Sequence, residues 1–120
     1  MRIPSFLVRK FYVKGSLRNN PYGFQWEMRN VFAPGTLWEV VSLEIDGRAC
    51  PLERVILYPP GGAAIRATEV NRHSPLRFDL GTKITVEVEG NPLPVGAHEI
   101  LLRLRIKEME EIEFSLEDSI

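Results

Sequence analysis

Residues able to carry chemistry are few in this chain, and their spacing does not gather them. The two histidines, His73 and His98, stand far apart, with no Cys or further His at the intervals that close a metal site. A metal site built by this chain alone is therefore not expected. His73 falls in the polar stretch "NRHSP", the setting of a surface histidine, and His98 opens a long apolar ladder where it can close the preceding loop by hydrogen bonding. Ser16, Ser42, Ser74, Ser115 and Ser119 lack the flanking glycines of a nucleophile elbow, and "YPPGGAAIR" lacks the order of a phosphate-binding loop. Cys50 is the only cysteine. It rules out an internal disulfide, fits a reducing compartment, and reads as a small buried hydrophobe. No residue is assigned a catalytic role.

Carboxylates are plentiful but sit at alternating strand positions or in the C-terminal tail, where solvation and cross-strand pairing account for them. A pair converging in space, as glycoside cleavage needs, is not legible from sequence. Aromatic residues are the remaining candidates, because Trp and Tyr stack on sugar rings or anchor protein interfaces. Trp26 shares the parity of Phe24 and Met28 and belongs to a core. Tyr22, Phe32 and Trp38 lie beside turns, where an interface and a satellite core are equally open to them.

The elements that position these residues are strands. Phe24, Trp26 and Met28 alternate with Gln25, Glu27 and Arg29; Ile84, Val86 and Val88 alternate with Thr85, Glu87 and Glu89. His98, Ile100, Leu102, Leu104 and Ile106 form the longest ladder of this kind. Period two places every second side chain on one face of a strand, and no segment of comparable length keeps helical spacing. Asp46-Gly47 is the clearest turn, since a type I′ turn needs positive φ at both central positions. It sets Ile45 opposite Arg48 and Leu43 opposite Cys50. At the C-terminal end, a three-residue loop Glu108–Glu110 aligns Ile106 with Ile112, Leu104 with Phe114 and Leu102 with Leu116. That register sets Arg105 against Glu113 and Lys107 against Glu111.

Short strands between turn signals predict an all-β fold, an antiparallel sandwich of immunoglobulin-like type, with a jelly roll or partly open barrel as alternatives. The 120 residues suit one domain, 1–120, at a length where folding buries somewhat under ~70% of the unfolded chain's surface. Sixteen acidic residues nearly balance fifteen basic ones, so no overall field draws in nucleic acid or an anionic membrane. No apolar run approaches the ~20 residues of a bilayer span, and "MRIPSFLVRK" lacks a signal peptide's apolar centre and cleavage site. The expected location is cytoplasmic.

Two Arg-Asn pairs, Arg18-Asn19 and Arg29-Asn30, bracket the Phe24–Met28 strand. Asn suits such ends because its amide satisfies backbone groups where pairing stops. The functional expectation is a partner-docking surface formed by Arg29, Asn30, Phe32, Pro34 and Trp38, a composition that protein interfaces favour.

Taken in order, "VKGSLRN", "YGFQWEMRNVFAPGT", "LEIDG", "SPLRFDLG" and "VEGNPLPVGAHEI" resemble the small β subunit of the C-glycoside deglycosidases over most of the chain. The resemblance implies a β-sandwich that docks on a larger TIM-barrel α subunit, itself the holder of a divalent metal, expected to be manganese, and of the acid-base residues. The complex would cleave the carbon–carbon bond of a 3-oxo-glucosyl C-glycoside by β-elimination. This chain would assist without cofactor or catalytic residue of its own. The alternative, from another class, is a free-standing carbohydrate-binding domain with Tyr22, Trp26 or Trp38 as stacking platform.

Overall fold

The computed structural model describes residues 1–120. The elements are a short helix α1 (Ser5–Phe11), then strands β1 (Arg18–Asn20), β2 (Gly23–Arg29), β3 (Gly35–Ile45), β4 (Arg48–Ala49), β5 (Val55–Tyr58), β6 (Ile65–Arg66), β7 (Leu76–Phe78), β8 (Lys83–Glu89), β9 (Ala97–Ile106) and β10 (Glu110–Ser119). One sheet has the order β1-β2-β8-β5-β6 and the other β10-β9-β3-β4, with β7 also paired to β3. Every pairing between strands is antiparallel. The protein is an all-β sandwich, as the alternation predicts.

The ladders read from sequence are the inner faces of these sheets. Phe24, Trp26 and Met28 on β2 lie opposite Val88, Val86 and Ile84 on β8, and all six are buried. The Asp46-Gly47 turn has φ of 52° and 78°, which joins β3 to β4 with Ile45 opposite Arg48, and the Cys50 N–H donates to the Leu43 carbonyl at 2.8 Å. Cys50 is half-buried against the core, and burial raises its thiol pKa.

The C-terminal hairpin corrects the sequence reading. Its loop is Lys107–Met109, one residue earlier than expected, and the register moves by two: Ile106 faces Glu110, Leu104 faces Ile112, Leu102 faces Phe114 and Ile100 faces Leu116. The Met109 N–H closes a turn onto the Ile106 carbonyl at 3.2 Å, and Glu110 takes the left-handed conformation at φ 62° that glycine usually fills. A shift of two preserves face parity, so the apolar face survives while the ion pairs change partners. Arg103 bonds Glu113 at 2.9 Å and Arg105 reaches Glu111 at 3.4 Å.

Helix α1 is the element that strand periodicity does not announce. Seven residues give too few turns for a moment to show, and tertiary contacts hold it. The Pro4 carbonyl accepts from Leu7 and Val8, Arg9 and Lys10 complement the dipole at the C-terminal turn, and Val8 is buried. Before the helix, Ile3 N–H donates to the Glu113 carbonyl at 2.9 Å; after it, Val13 N–H donates to the Glu27 carbonyl at 3.0 Å. The N-terminal segment thereby ties β10 to β2 and closes one side of the sandwich. Tyr12 fixes its end: the hydroxyl donates to Asp118 Oδ2 at 2.5 Å, and burial together with that bond pushes the phenol up to about 12.

At the end of the sandwich that holds the Asp46-Gly47 turn, His98 is buried and bridges two loops. Nδ1 meets Asp46 Oδ2 at 2.7 Å and Nε2 meets the Pro94 carbonyl at 2.7 Å, which is the loop-closing role expected of it. Both partners only accept, so the bridge is satisfied in full when both ring nitrogens carry protons. The Asp46 bond and then the Pro94 bond raise its pKa, and the same contact lowers that of Asp46.

Candidate functional site

At the opposite end the two sheets part around a cavity of about 620 Å3. Twenty of its twenty-five lining residues are hydrophobic. One wall is Met28, Ile84, Val86, Val55 and Leu57; the other is Leu37, Val40, Leu102, Leu104 and Ile106; Leu7 and Phe11 of α1 with Phe114 close the side. The mouth is formed by Met1, Phe32, Pro34 and Met109. Phe32 is 58% exposed and Met1 65% exposed, so the rim offers apolar surface to solvent.

The space follows from local sequence. The inner positions of β5 and β8 that face it are Val, Leu and Ile, and no tryptophan reaches it. β3 carries two register irregularities against β9, between Leu37 and Glu39 and between Val40 and Ser42. Each such irregularity bends its strand and increases local twist. Phe11 meets Phe114 edge-on at 5.5 Å, which walls the side without filling the centre.

Polar side chains at the cavity are already occupied. Asn30 is 4% exposed, and its amide nitrogen donates to the Ala33 and Phe78 carbonyls while its oxygen accepts from the Phe32 and Ala33 N–H groups. It builds the Val31–Pro34 turn. Glu108 accepts from Thr36 N–H at 2.9 Å and Thr36 Oγ1 at 3.1 Å, and the first of these bonds holds its carboxyl below the usual range. The interior thus presents hydrocarbon, and the polar side chains that line it are tied to the backbone around them.

The five residues expected to form a docking surface are divided. Phe32 and Pro34 stand together at the mouth, Asn30 lies buried beneath them, and Arg29 is exposed at the end of β2. Trp38 lies at another place, a smaller pocket of about 350 Å3 at the edge of β3. Of the proposed stacking residues, Trp26 is fully buried against Phe24 and Tyr22 is exposed beside the Asn20 turn. The cavity itself escaped sequence reading because inward parity reports which face a residue occupies and not whether its neighbours fill the space. No group of three or more His, Cys, Asp or Glu is placed to hold a metal ion, and no helix is long and apolar enough to cross a membrane.

A family model described as the hydroxymethylglutaryl-CoA reductase N-terminal domain matches residues 7–120. No curated protein matches the chain. The family match overturns the resemblance to the C-glycoside deglycosidase β subunit, and with it the inferred β-elimination, the TIM-barrel partner and the 3-oxo-glucoside. The carbohydrate-binding alternative has no support from the match either. The misleading motifs have a structural explanation: Gly15, Gly47, Gly90 and Gly96 in them all have positive φ, Gly15 in the turn between α1 and β1 and the other three next to strand ends. They specify turns of a sandwich, which unrelated sandwiches share. The chain belongs to the family of hydroxymethylglutaryl-CoA reductase N-terminal domains.

Proposed function

We propose that this domain is a binding module for an apolar ligand, which enters between the sheets past Phe32, Pro34 and Met109. The observation that carries the reading is the cavity of about 620 Å3, within the range of roughly 300–1,000 Å3 typical of small-molecule sites. Its walls select the ligand class. A polar group carried inside would leave its water hydrogen bonds unreplaced, a penalty of about 1–3 kcal/mol, so an unbranched or isoprenoid hydrocarbon with any polar end held at the mouth fits best. Hydroxymethylglutaryl-CoA, a charged thioester, is not what such a cleft selects; in a reductase of the matching family the module would serve beside the reaction. The lone Cys50 supports a reducing, cytoplasmic setting for it.

A fluorescent fatty acid titrated into the protein should bind saturably at one site, and Val86→Phe, which places a ring in the middle of the cavity, should abolish binding while leaving the melting temperature at or above that of the wild type. Failure of the wild type to bind, or equal binding by the filled variant, would sink the reading. A second reading, docking of another protein segment on the same rim, is favoured by the exposed Met1 and Phe32. Phe32→Asp should then abolish association seen by sedimentation, with Arg29 and Pro34 as neighbouring contacts.

A further inference from the structure

Trp38 is left outside the apolar cleft, and its surroundings have a chemistry of their own. β7 pairs with the first residues of β3 and β4 with its last, which leaves the middle of β3 as a free edge. Against that edge packs the 3-10 turn Ala67–Glu69 with the segment that follows it, and the space between is the pocket of about 350 Å3. Its floor is Val40, Leu52, Ala67 and Val70, with Ala67 and Val70 buried. Its polar lining is Glu39, Thr68, Asn71, Arg72 and Arg105. Val40 is the side chain shared with the lining of the larger cavity.

The two arginines differ in what remains available to them. Arg105 is engaged by Glu39 and by Glu111. Arg72 forms none of the ion pairs of the molecule. Its guanidinium instead lies over the Trp38 ring, 4.4 Å from the centroid. Arg72 is carried at a fixed point, because Asn71 Oδ1 accepts from the His73 and Ser74 N–H groups and holds the turn. A guanidinium attracted to an indole face keeps its N–H fork for an oxyanion. Carboxylates and phosphates match that fork with two parallel hydrogen bonds.

We propose that this edge pocket binds the carboxylate or phosphate group of a small organic anion, with Arg72 as the anion-binding residue, Trp38 as its platform, and Val40, Leu52 and Val70 under the ligand's apolar part. The mixed lining excludes a bare inorganic ion as the best ligand, since the floor would gain nothing. Glu39 opposes the anion and Arg105 restrains Glu39, so neutralising Glu39 should improve binding.

The test is calorimetric titration of the whole chain at low salt with phenyl phosphate, benzoate and neutral benzyl alcohol, alongside the emission of Trp38. One of the two anions should bind saturably, the alcohol should not, and the tighter anion identifies a phosphate ester or a carboxylic acid as the source. Arg72→Gln, an exposed substitution that should keep the melting temperature, is expected to weaken the anion by about tenfold or more. Arg72→Lys should fall between, having lost the planar fork, and Glu39→Gln should bind tighter than wild type. Absence of saturable binding by both anions, equal binding of the alcohol, or an Arg72→Gln variant with wild-type affinity would overturn the proposal. Arg72→Gln should leave fatty-acid binding in the cleft unchanged, which separates the two sites.

Discussion

The two ends of the sandwich are built from the same four inner strands and are filled differently. At the end of the Asp46-Gly47 turn, β2 contributes Phe24 and Trp26, whose rings stack at 6.4 Å, β3 contributes Leu43, β8 Val88 and β9 Ile100. Trp26, Leu43 and Ile100 are at most 1% exposed. Further along, the same strands contribute Met28, Val40, Val86 and Leu104, which surround the cavity without closing it. Period two is uninterrupted along β2 and β8 from one end to the other. Pattern therefore assigns faces, and side-chain volume decides whether a face becomes core or binding site.

Truncation should separate the ends most strongly. Ile100→Ala in the filled end is expected to lose about 2–5 kcal/mol, because the cavity it leaves is lined by well-packed neighbours. Leu104→Ala, half-buried on the cavity wall, removes contacts already incomplete and should lose about 1 kcal/mol. Urea unfolding of both variants measures the gap, and equal losses would mean that the hollow end closes in solution. Enlargement should invert the order. Ile100→Phe overpacks and should cost about 1–3 kcal/mol, whereas Val86→Phe enters existing space and should be neutral or stabilising.

The filled end should also respond to pH in a way the hollow end does not. His98 has a raised pKa in the folded protein, so its contribution is complete below the unfolded value of about 6.5 and disappears as pH rises through the folded one. Asp46 is lowered, so its contribution holds above about 3.9 and is lost as pH falls through its folded value. Asp118 on β10 lies opposite His98 and is also lowered despite its burial, through its bonds to Tyr12 and to the Ser119 and Gly15 N–H groups. The melting-temperature difference between wild type and His98→Gln should be largest near pH 6 and shrink toward pH 9. A difference that grew toward alkaline pH would show that a neutral His98 makes the bridge.

Much of this architecture was legible because alternation and turn chemistry are local. Trp26 could be placed in the core and Asp46-Gly47 in a hairpin from neighbours in sequence alone. The candidate sites were not legible, because each depends on what comes from elsewhere in the chain. The cavity depends on the volumes of residues brought together from seven strands and from α1. Arg72 and Trp38 are brought together by the packing of a 3-10 turn on a free sheet edge. The resemblance failed for the same reason, since the quoted motifs encode local turns and carry nothing about what occupies the space between the sheets.

The smallest effect tests the one register that sequence reading misplaced. Opposite charges are found on the outer face of β9 and β10 in either register, so alternation cannot choose between them; the left-handed Glu110 decides it by moving the loop one residue toward β9. In the structure Glu113 is bound by Arg103 and by Arg2, and these bonds hold its carboxyl below the ordinary range, the Arg2 bond foremost. Arg105 lies opposite Glu111 instead. A double-mutant cycle between Arg103 and Glu113, whose side chain is 16% exposed, should give a coupling of about 0.5–1 kcal/mol. The cycle between Arg105 and Glu113 should give close to zero, since their side chains are displaced by a residue pair along the ladder. If the second coupling exceeded the first, the loop would be Glu108–Glu110, Ile106 would face Ile112, and the rim of the cavity at Met109 would have to be redrawn.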